Sequence, residues 1–443
     1  MGSKKKTAAQ TLKGFRDLDP QNTQRKKEVV DTIWQNALLA GFQPIETPIL
    51  EYAETLLGTG NSETDKEVYL FEDHGKRQVG LRFDLTVPFS RYVAANLGTM
   101  VLPFKKFQVG NSYRGEKPQK GRYREFCQAD FDIVGVDSLS ADVEVLSQLA
   151  ASLEAITPAA ATYRVSHRVI LSQLIRHHLP AVQASDEASV LIAIDKLLKV
   201  GPEKVVELIC EIPDAEAAGA NALLSLLTDR NSMGDTNLDA IRALAAENKV
   251  LLSELDRFEQ TIKLVKDIVP QDRVSIKIDL SIARGLGYYT GIVFEANFDD
   301  EPRFGSISAG GRYNELVSRF SSQEVPGVGG SIGVDRLLAY SAKDNEISIE
   351  RKGVFIAVAE DSARVYGFKI LKQLRGQGFL ADIDLKQAKL QAQFKTADRK
   401  NFAQVIVLGS AEVESNTVSL KNLATGDELK AIPEGDLSAH ILP

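Results

Sequence analysis

The sequence predicts an α+β fold: a strand-rich part in two pieces, a helical insertion between them, and a separate α/β module at the end. Three observations carry this. Strand-like runs fill the stretch from Val68 to Val134 and return at VSIKIDL, GYYTGIVFEA and ISAGGRY. Between about Leu171 and Ile268 the text becomes Leu/Ala/Glu-rich with almost no strand signal, broken at Pro180, Gly201-Pro202, Pro213 and Gly234. From Gly353 onward strand and helix patterns alternate, the mark of a small α/β domain.

In order along the chain, Asn22 to Ala40 places Val30, Ile33, Trp34, Ala37 and Leu38 at helical spacing, with Asn22 or Thr23 as N-cap and Gly41 as stop. FQPIETPILEY follows, where Pro44 and Pro48 restrict any strand to an edge or an interface. Val68 to Arg91 reads as a hairpin with its turn at Asp73 to Gly75, the second strand entering LRFDLTVPF. Two more strand runs flank the loop of FKKFQVGNSYRGEKPQKGRYREFCQADFDIVG. On the second run Gln128, Asp130 and Asp132 alternate with apolar neighbours and share one face. Leu139 to Ile156 is expected to be helical and YRVSH a strand. GVGGSIGV reads as a Gly-rich turn opening the helix VDRLLAY, and SAKDNEISIERK as a linker.

With 443 residues, 44% hydrophobic and 26% charged, the composition is that of an ordinary globular chain of several domains. A net charge of -7 argues against indiscriminate nucleic-acid wrapping, so any polyanion must be met locally. Cys127 and Cys210 alone can build neither a disulfide framework nor a zinc site. The expectation is a reducing cytoplasm and no metal held by Cys or His. No window has the apolar run of roughly 18 residues that a membrane span needs.

The one local polyanion candidate is Phe104 to Arg124, where Lys105, Lys106, Arg114, Lys117, Lys120, Arg122 and Arg124 face the single acid Glu116, a local charge of +6. No GxxxxGK[ST] loop exists, so a bound triphosphate would have to be held by side-chain cations. Arg114, Arg284 and Arg336, each beside a glycine or a turn, suit that task because guanidinium offers two directed hydrogen bonds to one phosphate. The glycine clusters GLGYYTG and GVGGSIG do not fit the dinucleotide spacing. GGSIG is a literal GxSxG around Ser331, but the only histidine beyond it is His440.

These segments together resemble the histidyl-tRNA synthetases, a family of class II aminoacyl-tRNA synthetases. GFQPIETPILE resembles class II motif 1, YRGEKPQKGRYREFCQADFDIVG motif 2 with its loop, and GVGGSIGVDRLL motif 3. LRFDLTVPFSRY and ARGLGYYTGIVFEA resemble the two histidine-pocket signatures of this family. The resemblance implies an antiparallel class II sheet flanked by helices, with a helical insertion and an anticodon-binding α/β domain. The catalytic core would be residues 1–170 and 269–342, the insertion 171–268 and the anticodon-binding domain 353–443.

It further implies ATP as a substrate, with Mg2+ accompanying it, and L-histidine and tRNA(His) as the other ligands. By motif position Arg114 would contact the α-phosphate and Arg336 the γ-phosphate, Arg284 would approach the α-phosphate from the histidine side, and Glu116 and Arg122 would lie near adenine and phosphates. Asp84 and Gln128 match positions that hold the α-ammonium, Asp132 and Tyr289 those that bond imidazole, and Tyr288 would line the pocket. Lys117 and Lys120 fall on the tip expected to meet tRNA. Gly287 stands where the family usually has Asp, so no supporting carboxylate is assigned there. Motif 1 implies a homodimer. The competing reading is a non-catalytic paralogue, either the regulatory subunit of ATP phosphoribosyltransferase or a tRNA sensor.

Overall fold

A computed structural model describes residues 7–58, 62–283, 289–341 and 351–442. The chain divides into two compact units, Met1–Lys343 and Asp344–Pro443.

The first unit opens with the helix Pro20–Leu39, which buries Ile33 and Ala37. It starts earlier than Asn22 or Thr23 because Asp19 takes the cap position, its carboxylate accepting from the Asn22 N–H at 2.7 Å, and Pro20 occupies the first turn, where its missing N–H costs nothing. The strands of this unit are β1 (Gln43–Pro44), β2 (Leu50–Tyr52), β3 (Leu70–Glu72), β4 (Gln78–Leu81), β5 (Phe104–Tyr113), β6 (Glu125–Val134), β7 (Ala161–His167), β8 (Val274–Ile278), β9 (Ile292–Phe298), β10 (Ser308–Arg312) and β11 (Gly327–Gly333). Eight of them form one sheet in the order β1-β5-β6-β11-β10-β9-β7-β8. Every neighbouring pair is antiparallel except the outermost two, β1 with β5 and β7 with β8. Motif 1 therefore supplies an edge strand, as its prolines require. β2, β4 and β3 make a separate small antiparallel sheet.

The large sheet is amphipathic. Phe107, Ala129, Phe131, Phe294 and Val328 pack with Val145, Leu146, Leu149 and Leu153 of the helix Leu139–Ile156 and with Ile33 of the first helix in one core. The opposite face of β6 carries Gln128, Asp130 and Asp132, so the period-2 alternation places apolar groups under helices and polar groups in the cleft described below.

Two segments differ from their sequence reading. LTVPFSRY is part of the helix Thr86–Asn96, not a strand; Pro88 sits in its first turn, where proline is compatible with helix. GVGGSIG is the central strand β11, not a turn. Its glycines are tolerated because neighbouring strands and Leu149 crowd in where side chains would stand: a Cβ on Gly330 would lie 2.6 Å from Leu149 Cδ1.

The insertion runs through helices Arg168–His178, Glu187–Asp195, Pro202–Cys210, Ala217–Thr228, Asp239–Ala245 and Lys249–Ile268, between β7 and β8. Among the described residues no helix is long and apolar enough to cross a membrane.

The second unit has strands β12 (Val354–Val358), β13 (Ala381–Ile383), β14 (Gln404–Leu408), β15 (Thr417–Asn422) and β16 (Glu428–Pro433), in the order β13-β12-β14-β15-β16. β12 is parallel to β13 and β14, with the helices Arg364–Gly376 and Leu390–Arg399 as connections. Ile356, Ile370, Leu374, Ile406 and Leu408 form its core. β16 had no clear strand pattern in the sequence because only Ile432 of its six residues is buried.

Candidate active site

The polar face of β6 opens into a cleft lined by the ends of β4, β5, β10 and β11 and the loop between β5 and β6. Asp84, Arg114, Glu116, Arg122, Gln128, Tyr289 and Arg336 all line it, together with Thr86, Phe126, Asp130, Tyr313 and Ser331. Seven sequence-predicted site residues from distant parts of the chain thus meet in one place. Arg284 and Tyr288, like Gly287, lie outside the described residues. Lys117 and Lys120 are exposed on the β5–β6 loop, away from the lining.

Each side chain has a local reason for its pose. Asp84 sits just before the helix Thr86–Asn96, and its Oδ1 accepts from the Val87 N–H at 3.0 Å in the manner of an N-cap. Its Oδ2 is buried with no donor, and burial pushes its carboxyl upward. Arg114 donates through Nε to Phe83 O at 3.0 Å and stacks its guanidinium over Phe126, 5.0 Å from the ring centroid, which leaves its outer nitrogens directed along the cleft. Arg122 pairs with Glu116. Arg336 donates to Ser306 O. Next to it, buried Asp335 accepts from the Cys127 N–H and pairs with Arg16, whose guanidinium lies 3.8 Å from the centre of the Tyr123 ring. That carboxylate therefore ties β6, the helix Val334–Ser341 and the N-terminal segment together at the mouth of the site.

Gln128 donates from Nε2 to Ser331 Oγ at 3.1 Å, so its Oε1 is left as a buried acceptor without a donor. Ser331 is thus a strand residue, paired in register with Asp130 and Ala309, and its hydroxyl serves an amide. It does not sit on the strand-to-helix elbow that a nucleophilic serine in a GxSxG motif occupies, so the match is one of spelling alone.

Asp132 lies one layer deeper than predicted, 1% exposed and behind the cleft surface. Both of its oxygens are occupied: Oδ2 accepts from Lys106 Nζ at 2.9 Å and Oδ1 from the Tyr313 hydroxyl at 2.6 Å. A carboxylate offers about four lone-pair sites, so two remain for a further donor. Lys106 is fully buried and stands over the Phe89 ring. The local charge of +6 is therefore not all directed at a polyanion. Lys106 points inward as the counter-ion of Asp132, Lys105 pairs with Glu144, and Arg124 is bonded to the backbone of Glu116. Lys117 and Lys120 at the tip are the exposed lysines of the stretch.

The deep end of the cleft has a glycine floor. Gly329 faces Asp132 across β6 and β11, and a Cβ there would lie 1.9 Å from Asp132 Oδ1. Gly311 makes similar room for the Tyr289 ring, 2.9 Å from where its Cβ would be.

Asp130, Lys106 and Arg82 are buried charged groups at or behind the cleft to which the sequence reading gave no individual site role. Alternation already placed Asp130 on the same face as Gln128 and Asp132. For the two cations no signal was available, since charged residues are normally solvated. Arg82 is buried, donating to Thr47 O at 2.7 Å and Asn111 O at 2.8 Å, and Gly110 leaves the space it fills: a Cβ there would be 2.4 Å from Arg82 Nη2.

The family model described as histidyl-tRNA synthetase matches residues 14–337, and that described as anticodon binding domain matches residues 353–442. The histidine–tRNA ligase of Rhodopirellula baltica is 39% identical over 420 residues, 94% of this chain and 93% of its own length. That of Wolinella succinogenes is 38% identical over 437 residues, 95% of each chain. The crystal structure of histidyl-tRNA synthetase from Nostoc sp. PCC 7120 matches with a TM-score of 0.83 at 28% identity, over 98% of this chain and 99% of that one.

Proposed function

This chain belongs to the histidyl-tRNA synthetase family and ligates histidine to tRNA using ATP, and we propose that the cleft on the polar face of β6 is where it does so. The observation that carries the assignment is the meeting of Arg114 and Arg336 with Asp84, Gln128 and Tyr289 around one opening. Two cations suit a triphosphate, and the acceptor oxygens beside them suit an amino-acid ammonium.

In this reading ATP lies along Arg114, with its adenine near Phe126, Glu116 and Arg122 and its γ-phosphate toward Arg336. By motif position alone, Arg284 is assigned to the α-phosphate on the histidine side and Tyr288 to the lining of the amino-acid pocket. Histidine places its ammonium on Asp84 and Gln128 and its imidazole toward Tyr289 and the Asp132–Tyr313 pair. The histidine carboxylate attacks the α-phosphorus in line, pyrophosphate leaves, and the histidyl-adenylate is passed to the terminal ribose of tRNA. No protein nucleophile is required; catalysis is positioning and charge stabilisation. Reading both imidazole nitrogens discriminates well, because an analogue lacking one leaves a buried polar group unpaired.

Mg2+ accompanying ATP would offset charge on the pyrophosphate. The phosphates themselves would hold it, since of the acids that line the cleft Glu116 and Asp335 are already paired with Arg122 and Arg16, and Asp84 and Asp130 are assigned below to the amino acid. A second copy of the chain would cover Ile49, Leu50, Tyr52, Leu70 and Phe71, exposed apolar side chains on and beside the small β2-β4-β3 sheet, giving a homodimer. The reaction is placed in the cytoplasm, where Cys127 and Cys210 stay reduced.

Labelled pyrophosphate is expected to exchange into ATP only when histidine is present. Exchange with another amino acid and not histidine refutes the substrate; no exchange at all favours the non-catalytic paralogue. Charge reversal at Lys117 or Lys120 is expected to slow histidyl transfer to tRNA about tenfold, with pyrophosphate exchange within about twofold of wild type, because exposed cations contribute to polyanion binding and not to the buried chemistry. Equal losses in both steps would place these lysines in the adenylation site instead.

A further inference from the structure

Three buried oxygens that line this cleft have no hydrogen-bond donor: Asp84 Oδ2, Gln128 Oε1 and Asp130 Oδ1. The first two are expected in the amino-acid pocket; the third has no assigned role. Asp130 is 3% exposed, lies between Gln128 and Asp132 on β6, and is paired in register with Gln108 of β5 and Ser331 of β11. Neither buried cation near it serves it: Lys106 donates to Asp132, and Arg82 directs donors to Thr47 and Asn111. A buried carboxylate oxygen without a donor is costly, and its presence beside two other orphaned acceptors indicates that a ligand supplies what the protein does not.

We propose that Asp130 is a third acceptor for the α-ammonium of the amino-acid substrate, completing a set with Asp84 and Gln128. This rests on the aminoacylation reading above. An alkylammonium carries three N–H donors and no acceptor, so it satisfies three acceptors at once. A neutral imidazole has one N–H and cannot. The pose of Gln128 supports the same conclusion, because its amide nitrogen is held by Ser331 and its buried oxygen is left to accept from a ligand. Burial also pushes the Asp130 carboxyl above its ordinary value, and an arriving ammonium favours its ionised form, so binding shifts its proton toward solvent. The charged and titratable groups around it are Arg82 and Asp84 before the helix Thr86–Asn96, Lys106 on β5, Asp132 on its own strand, and the phenols Tyr289 and Tyr313 flanking β10; β11 contributes only Ser331 and glycines.

The test compares two ligands on the full chain: L-histidine, and imidazolepropionate, which lacks only the ammonium. For Asp130→Ala, histidine affinity is expected to fall roughly tenfold or more, the loss typical of a charge-assisted hydrogen bond, while imidazolepropionate affinity stays within about twofold. Asp130→Asn, which keeps the volume, is expected to show the same selectivity with a smaller loss, and carries the test if the alanine variant does not fold. Calorimetry of histidine binding in buffers of different ionisation enthalpy near pH 7 should find more protons released by the wild type than by Asp130→Asn. Equal weakening of both ligands, or no change in either, overturns the proposal. A wild-type chain that activates a different amino acid refutes the histidine reading separately, and the Asp130 comparison then runs on that amino acid and its des-amino analogue.

Discussion

An Arg114→Ala chain should exchange labelled pyrophosphate into ATP at roughly one hundredth to one thousandth of the wild-type rate, the loss typical of removing one preorganised charge from a transition state. The geometry explains why so large an effect is expected from one side chain. Arg114 is anchored at its inner end by Phe83 O and held flat against Phe126, so it need not reorganise when ATP arrives. Its charge is opposed by no ion pair among those of the described residues, whereas Arg122 has Glu116. Arg114→Lys should recover only part of the rate, because an ammonium cannot present two fixed donors to one phosphate. The loss should fall on kcat. A raised KM for ATP with kcat unchanged would mean that Arg114 binds the ground state and transition state alike.

Lys106→Met is expected to destabilise the first unit by about 3–5 kcal/mol, read from denaturant unfolding, and to weaken histidine binding in whatever folded protein remains. The cause is not the lost attraction as such. Methionine leaves the Asp132 carboxylate 1% exposed, with the Tyr313 hydroxyl as its remaining protein donor, and an uncompensated buried charge is far more costly than the pair it came from. The double variant Lys106→Met, Asp132→Leu should regain much of the stability, because both charges leave together, yet not the histidine affinity. If the single variant unfolds at the wild-type denaturant concentration, water must already reach the pair.

Much of this fold is readable from pattern. The alternation in EFCQADFDIV identifies both the strand and its polar face, and the helical run from Val30 to Leu38 identifies the first helix. Legibility ends where tertiary contacts reverse a local preference. GVGGSIG has the composition of a turn, yet it is the middle strand of an eight-stranded sheet, because Gly330 sits under Leu149 and Gly329 against Asp132, which leave no room for side chains. The first helix begins at Pro20 because Asp19 caps it, a choice that the apolar spacing further along cannot report. The site divides in the same way. Residues on the cleft surface follow motif positions. Lys106 and Arg82 do not, since a lysine or arginine is normally solvated and only the folded neighbours reveal Lys106 as a buried counter-ion and Arg82 as a buried donor to backbone carbonyls. Asp132 was legible as a residue and not as a depth.

The bare backbone at Gly329 changes how substitutions in this cleft are to be interpreted. It has no side chain to offer a ligand, yet any side chain placed there would collide with the carboxylate across the sheet. A scan that replaces one position at a time is expected to report, at this glycine, on the displaced acid opposite as well as on the position itself. The two positions share one volume between two strands, so the present pose of Asp132 and any bulk at 329 are mutually exclusive, and a redesign must treat them together.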